Sequence, residues 1–191
     1  MSFVCGTDFG ENATRATEIA ARLAAKAAER LTVVHAIELP AIVAGDPFFV
    51  PMRDALRPSK ELQEAADARL AGEAGRLAKM SGASVVPRLA IATPAAGILE
   101  VAAETKPAFI VTGTHGRSAP GRWILGSTAD RLARRATGPV LVVREPCDGL
   151  EAWSKGVQTL RVLVGVSFDS SFDAAHDAGA DGDSDGDSDG Q

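Results

Sequence analysis

Residues 113–135 read GTHGRSAPGRWILGSTADRLARR, a segment in which four glycines lead from an apolar run into a strongly helical one. Glycine permits positive φ and lets an anion approach main-chain N–H groups closely. Ser127 and Thr128 stand at the predicted helix start, where free N–H groups and the helix dipole favour negative charge. The segment therefore has two interpretations, a phosphate site or a turn and cap between a strand and a helix.

The glycine spacing differs from that of two common nucleotide-binding motifs. Two residues separate Gly113 from Gly116. Nine more precede Gly126, and Ser127 follows it. A P-loop requires Gly-Lys-Ser/Thr, and the dinucleotide fingerprint has closely spaced glycines after the first strand. This segment follows the fourth predicted strand, so it fits neither motif.

Short apolar runs alternate with helical patterns along the chain. The predicted strands are residues 3–7, 31–37, 84–91, 108–112 and 139–143. The predicted helices are 13 to about 30 with Asn12 as the cap, 59–80 closed by Gly82, one that opens at Pro94, and 127–135. Buried strands separated by helices predict an α/β fold, with a doubly wound five-stranded parallel sheet and helices on both faces. Ligands of such sheets bind beyond the carboxyl ends of the strands, where the winding reverses.

Composition narrows the class of protein. Apolar residues make up 46% of the chain and charged residues 24%, and no apolar run approaches the length of a membrane span. The start of the chain does not resemble a secretory signal, and its two cysteines fit a reducing compartment, so a cytoplasmic protein is expected. Six aspartates and no basic residue fall in residues 177–191, and they account for the net charge of −5. The rest of the chain lacks the basic excess of a nucleic-acid-binding surface, so neither nucleic acid nor membrane is an expected partner.

The pattern Gly-x2-Gly-x9-Gly-Ser, between an apolar strand and a helix that leads to Pro-Val-Leu-Val-Val, resembles the universal stress protein family. The resemblance covers residues 3–144. It implies a Rossmann-like fold of the adenine nucleotide alpha hydrolase type with strand order 3-2-1-4-5. It also implies binding of ATP, with Mg²⁺, because this chain keeps the full glycine motif.

The resemblance implies a set of binding residues. Asp8 would contact the ribose or the base edge, and the backbone around Ala36 would meet the adenine. The full set is Thr7, Asp8, Ala36, Gly113, Gly116, Arg117, Gly126, Ser127 and Thr128. The family often has a glycine shortly before the proline of the third helix, where this chain has Ala92-Thr93-Pro94.

Four polar or charged residues near the expected site are interpreted individually. Asp8 could cap the turn that follows it. Arg117 could offset phosphate charge, whereas His115 is expected to be an exposed loop residue. His35 lies in an apolar strand and is interpreted as a packed histidine rather than a ligand.

Four segments are predicted along the chain. Residues 1–146 form the nucleotide-binding domain, 147–160 a linker, 161–175 the first strand of an incomplete second repeat, and 176–191 a disordered acidic tail. The repeat rests on LVGVSF at 163–168, which aligns with VCGTDF at 4–9, and chance similarity is the alternative. The tail opens like a calcium loop but lacks the glutamate ligand, so no metal site is predicted.

The leading prediction is an ATP-binding regulatory or stress-response module whose nucleotide state is read by a partner. No catalytic residues are identified, so it is expected not to be an enzyme beyond very slow ATP hydrolysis. A homodimer through the last strand is expected, because its apolar edge invites pairing. The alternatives are a nucleotide-independent dimeric scaffold and a nucleotide-using enzyme such as a phosphotransferase. ADP, AMP and cyclic AMP stay open as ligands.

Overall fold

The computed structural model describes residues 2–38, 57–114, 125–144 and 147–159 of the chain. Strands and helices alternate through these ranges. The strands are β1 (Ser2–Gly6), β2 (Arg30–Ile37), β3 (Ser84–Ile91), β4 (Phe109–Gly113) and β5 (Val140–Val143). The helices are α1 (Glu11–Lys26), α2 (Lys60–Ser81), α3 (Pro94–Thr105), α4 (Ser127–Arg135) and α5 (Asp148–Ser154).

The strands form one parallel sheet in the order β3-β2-β1-β4-β5, which confirms the predicted fold. From β1 the chain winds outward through β2 and β3, and it then returns to the other side of β1 as β4 and β5. The winding therefore reverses between β1 and β4. Their carboxyl ends define what we call the switch-point edge of the sheet.

Helices cover both faces of the sheet because alternate strand residues point to opposite sides. On one face, here called the α1 face, Cys5 packs in a buried core with Ile19 of α1 and Leu70 of α2. On the other, the α4 face, Val4 packs in a second core with Leu132 and residues of α3. The three central strands β1, β2 and β4 are thus buried on both sides, as their continuous apolar runs predict, whereas the outer strands β3 and β5 are more exposed.

Helix α2 begins and ends where its sequence predicts. The side chain of Ser59 accepts a hydrogen bond from the Leu62 amide at 3.3 Å and so caps the helix start. Gly82 ends the helix with φ of +75°, the left-handed conformation that glycine adopts most readily. These two residues set the length of α2 and the point where β3 begins.

We expect Gly82→Ala to lower the free energy of unfolding by about 1 kcal/mol, because alanine is strained at positive φ. Apart from its two chain neighbours, no atom of the described residues lies within 4 Å of a Cβ placed there, so the cost comes from the backbone conformation. Gly75→Ala is the matched control, since Gly75 lies inside α2 with equal space around it. That change should raise stability by about 0.5–1 kcal/mol. Urea unfolding measures the free energy of unfolding of both variants. Changes of the same sign would contradict the assignment of Gly82 as the cap of α2.

The start of α1 differs from the prediction. The helix begins at Glu11 with Gly10 as its N-cap, so Asn12 lies within the first turn and is not the cap. The Gly10 amide instead donates a 2.8 Å hydrogen bond to Oδ1 of Asp8, which fixes the chain just before the helix. At the other end α1 stops at Lys26 rather than near residue 30, because Ala28 has φ of +54° and the chain turns there into β2.

Residues 147–160 were expected to be a linker, but helix α5 lies there. Cys147 and Leu150 contact the buried core of the α1 face, and the Lys26 ammonium lies 5.8 Å from the ring centre of Trp153. These residues belong to the compact unit Met1–Thr159. A helix of seven residues is too short for its apolar spacing to stand out in the sequence.

The predicted second-repeat strand at 161–175 and the acidic tail at 176–191 lie outside the described residues. Among the helices that are described, none has the length and apolar character needed to cross a membrane.

Candidate functional site

The candidate site lies at the switch-point edge, where β1 and β4 are neighbours. The two strands pair in parallel, with Cys5 opposite Val111, so the residues that follow each strand emerge side by side. Thr7 and Asp8 follow β1, and Gly113 ends β4. The sheet therefore brings together residues far apart in the sequence.

The turn after β1 is held by two side-chain hydrogen bonds, each to an amide two residues further along the chain. Oγ1 of Thr7 accepts from the Phe9 amide at 3.0 Å, and Oδ1 of Asp8 accepts from the Gly10 amide at 2.8 Å. Phe9 has φ of +60°, which costs a residue with a side chain about 1–2 kcal/mol. Asp8 therefore caps its own turn, the alternative that the sequence left open, and this bond also orients the half-buried carboxylate.

The end of β2 is bonded to the same turn. The Thr7 amide donates to the Val34 carbonyl at 2.8 Å, which extends the sheet past the end of β1. Nδ1 of His35 lies 2.8 Å from the Thr7 carbonyl, an acceptor, so this nitrogen carries the proton and donates. His35 is thus a packed, hydrogen-bonded residue, as expected, and Ala36 follows it in β2.

Gly113 has a packing role that the sequence did not reveal. A Cβ at this position would lie 3.1 Å from the carbonyl oxygen of Asn12 and 3.2 Å from its carbonyl carbon. The missing side chain therefore lets the end of β4 approach the first turn of α1. This contact explains the first glycine of the motif without any ligand.

The start of α4 is tied directly to the end of β4. The Gly126 amide donates a 2.7 Å hydrogen bond to the carbonyl of Thr114, which joins the two ends of the glycine loop. Gly126 is the N-cap of α4, and Ser127 and Thr128 form its first turn. The first amides of a helix have no partners within the helix, so this turn is suited to hold an anion.

Two predicted site residues, Gly116 and Arg117 of the glycine loop, lie outside the described ranges. His115, which is expected to be an exposed loop residue, lies outside them as well. The described ranges thus hold Thr7, Asp8, Ala36, Gly113, Gly126, Ser127 and Thr128.

The chemistry of the described site suits binding. Cys5 is fully buried in β1, and burial raises the pKa of its thiol far above the ordinary value, so it stays protonated and unreactive. In residues 2–38, 57–114, 125–144 and 147–159, no three His, Cys, Asp or Glu side chains are grouped to hold a metal ion. The edge provides the oriented Asp8 carboxylate, the hydroxyls of Thr7, Ser127 and Thr128, and the N-terminus of α4.

Two grooves open at the opposite edge of the sheet, near the amino ends of the strands. One, of about 990 Å³, is bordered by Ser2, Arg30 and Ser84, and the other, of about 550 Å³, by Lys106 and Gly138. Helices end at this edge, and the negative ends of their dipoles disfavour anions. Basic side chains line both grooves as well, among them Arg30 in the larger and Lys106 in the smaller, and neither groove contains any of the predicted site residues.

Comparison with known proteins identifies a family. A sequence model described as "Universal stress protein family" matches residues 1–144. The chain is 35% identical over 141 residues to a Thermus aquaticus protein described as "Universal stress protein in QAH/OAS sulfhydrylase 3'region", covering 72% of this chain and 93% of that protein.

Solved structures share the fold. The universal stress protein from Archaeoglobus fulgidus in complex with dAMP has a TM-score of 0.56 and 22% identity, covering 75% of this chain and 98% of its own. A universal stress protein in complex with cAMP has a TM-score of 0.52 and 24% identity, covering 75% and 96%. At this level of identity the likeness shows the fold alone.

The family match spans the five strands, helices α1 to α4 and both ends of the glycine loop. The Thermus aquaticus relative is similar over 72% of the chain. The chain therefore belongs to the universal stress protein family.

Proposed function

We propose that this chain binds an adenine nucleotide at the switch-point edge, with ATP and Mg²⁺ as the leading ligand. One observation carries the proposal: the Asp8 turn follows β1, and the start of α4 is bonded to the end of the neighbouring strand β4. A carboxylate that can accept from ribose or adenine is thus placed on one strand end. A helix N-terminus that can accept phosphate is placed on the next.

The family resemblance suggests which part of such a ligand each residue would contact. Asp8 is suited to the ribose or the base edge, and the backbone around Ala36 to the adenine. The first-turn amides and hydroxyls of Ser127 and Thr128 are suited to the phosphates. Bound Mg²⁺ would supply charge neutralisation, and phosphate oxygens rather than a protein cluster would provide most of its ligands. Gly116 and Arg117 complete the proposed set, and two relatives of this fold carry adenine nucleotides, dAMP and cAMP.

The proposed role is regulatory, in the cytoplasm, with a partner that reads the nucleotide state. His35 is the one histidine in the described ranges, and its Nδ1 is engaged with the Thr7 carbonyl. Cys5 is buried and protonated. These two residues are therefore poor candidates for a base or a nucleophile, which supports at most very slow hydrolysis.

A dimeric scaffold that needs no nucleotide is the second candidate. It is favoured by the position of β5 at the edge of the sheet, where Val140, Leu141 and Val142 are only half-buried. An edge of this kind invites pairing with a second chain. We therefore propose a homodimer through β5 under either function.

The test is a calorimetric titration of the full chain with ATP–Mg²⁺, together with mass spectrometry of nucleotide released on denaturation. We expect saturable binding with a dissociation constant on the order of micromolar. Competition with ADP, AMP and cyclic AMP then compares the affinities of these nucleotides and so shows how much each phosphate group contributes to binding. If the purified chain carries no nucleotide and the titration gives no heat of binding, the proposed nucleotide site is wrong and the dimeric scaffold is favoured.

A further inference from the structure

Behind the candidate site, three side chains from different elements form a stack on the α1 face. The ring of Phe9, in the turn after β1, lies 4.6 Å from the ring of His35 in β2. On Phe9, the guanidinium carbon of Arg69 from α2 lies 4.2 Å from the ring centre. Both distances are in the range of favourable aromatic and cation–π contacts.

The stack stabilises Phe9 in a backbone conformation that is unfavourable by itself. Phe9 has φ of +60°, an unfavourable conformation for an aromatic residue, and such residues persist only where their surroundings fix them. The two hydrogen bonds of the turn fix its main chain, and the stack fixes its side chain. Asp8 lies between Thr7 and Phe9, so movement of Phe9 would also move the carboxylate.

We propose that Arg69 is a positioning residue for the nucleotide: it presses Phe9 onto His35 and thereby fixes the direction of the Asp8 carboxylate. The inference rests on the proposed function. Arg69 is exposed on α2, and Phe9 packs against the core of the α1 face. Helix α4, where the phosphates are proposed to bind, is anchored by Leu132 in the core of the other face. Arg69 therefore acts on the ligand through Phe9 and couples α2 to the switch-point edge.

The chemistry of the contact predicts which substitutions are tolerated. A guanidinium stacks flat on an aromatic face, whereas an ammonium keeps the charge but loses the planar contact. Arg69→Lys should therefore keep part of the effect, and Arg69→Ala should lose it. Arg76 provides the matched control, because it lies on the same helix and makes its contacts with Glu18 and Glu73 instead.

The experiment measures nucleotide affinity by calorimetry and exchange of the Gly10 amide by NMR, in the full chain. We expect Arg69→Ala to raise the dissociation constant for ATP–Mg²⁺ about three- to fivefold and to speed Gly10 exchange by a similar factor. Arg69→Lys should fall between Arg69→Ala and the unmodified chain. Arg76→Ala should leave both quantities unchanged, although it removes salt bridges and so controls for general destabilisation.

The outcomes separate this inference from the proposed function. If the unmodified chain binds ATP and Arg69→Ala binds equally well, positioning by Arg69 is overturned and the nucleotide site stands. If affinity falls but Gly10 exchange does not change, the route through the Asp8 turn is overturned. If the unmodified chain binds no adenine nucleotide, the proposed function fails and the role of Arg69 fails with it.

Discussion

Replacing Gly126 with aspartate is expected to lower the affinity for ATP by about 100-fold or more while leaving the fold intact. Two negative charges about 4 Å apart repel by about 4 kcal/mol at an effective dielectric constant of about 20, and about 1.4 kcal/mol is a factor of ten. The new carboxylate would stand at the first turn of α4, where we place the phosphates. Calorimetric titration with ATP–Mg²⁺ measures the loss.

The same substitution should not destabilise the protein. Gly126 has φ of −61° and ψ of 153°, an extended conformation that any residue adopts, and aspartate is a preferred N-cap. The melting temperature should therefore stay the same or rise slightly. Gly138→Asp is the control for added charge, because Gly138 is exposed at the opposite edge of the sheet and should leave affinity unchanged. Equal affinity of Gly126→Asp and the unmodified chain for ATP would contradict the proposal that the phosphates bind at the start of α4.

Replacing Leu132 with alanine is expected to lower the free energy of unfolding by about 3 kcal/mol. Leu132 is fully buried, and Ala129 is the other buried residue of α4. It packs in the core of the α4 face with Val4 and Ile110, so truncation leaves a cavity beside the sheet. Because this side chain anchors the helix that carries Ser127, nucleotide affinity should fall as well. Urea unfolding measures the stability.

Arg131→Ala is the matched control for that variant. Arg131 is the preceding residue and is exposed, so its truncation should change the unfolding free energy by less than about 0.5 kcal/mol. A loss of less than about 1 kcal/mol for Leu132→Ala would mean that α4 is held mainly by other contacts.

Much of the fold could be predicted because its signals are local. The apolar runs gave five strands close to their observed positions, and Ser59 and Gly82 marked the ends of α2 by their preference for caps. The order of the strands came from the resemblance carried by the glycine spacing. Helix α5 was missed because seven residues are too few for a helical pattern to stand out, and its contact with α1 is visible only in the structure.

Less of the site could be predicted, because its geometry depends on contacts between distant residues. The pattern singled out Asp8 and Gly113, but not the approach of Gly113 to Asn12, which arises only when β4 lies beside β1 and beneath α1. The positive φ of Phe9 has no sequence signal, since glycine or asparagine is usual there. Arg69 had no distinguishing feature in an exposed, charged helix.

The hydrogen bond between the Gly126 amide and the Thr114 carbonyl has a consequence for evolution and engineering. Because the two ends of the intervening segment are already joined at 2.7 Å, the scaffold defines both attachment points before that segment contributes anything. Doubling the length of a connection between fixed ends costs only about 0.6 kcal/mol in closure entropy. We therefore expect the framework to tolerate a change in the length of the segment between Thr114 and Gly126 at little cost in stability.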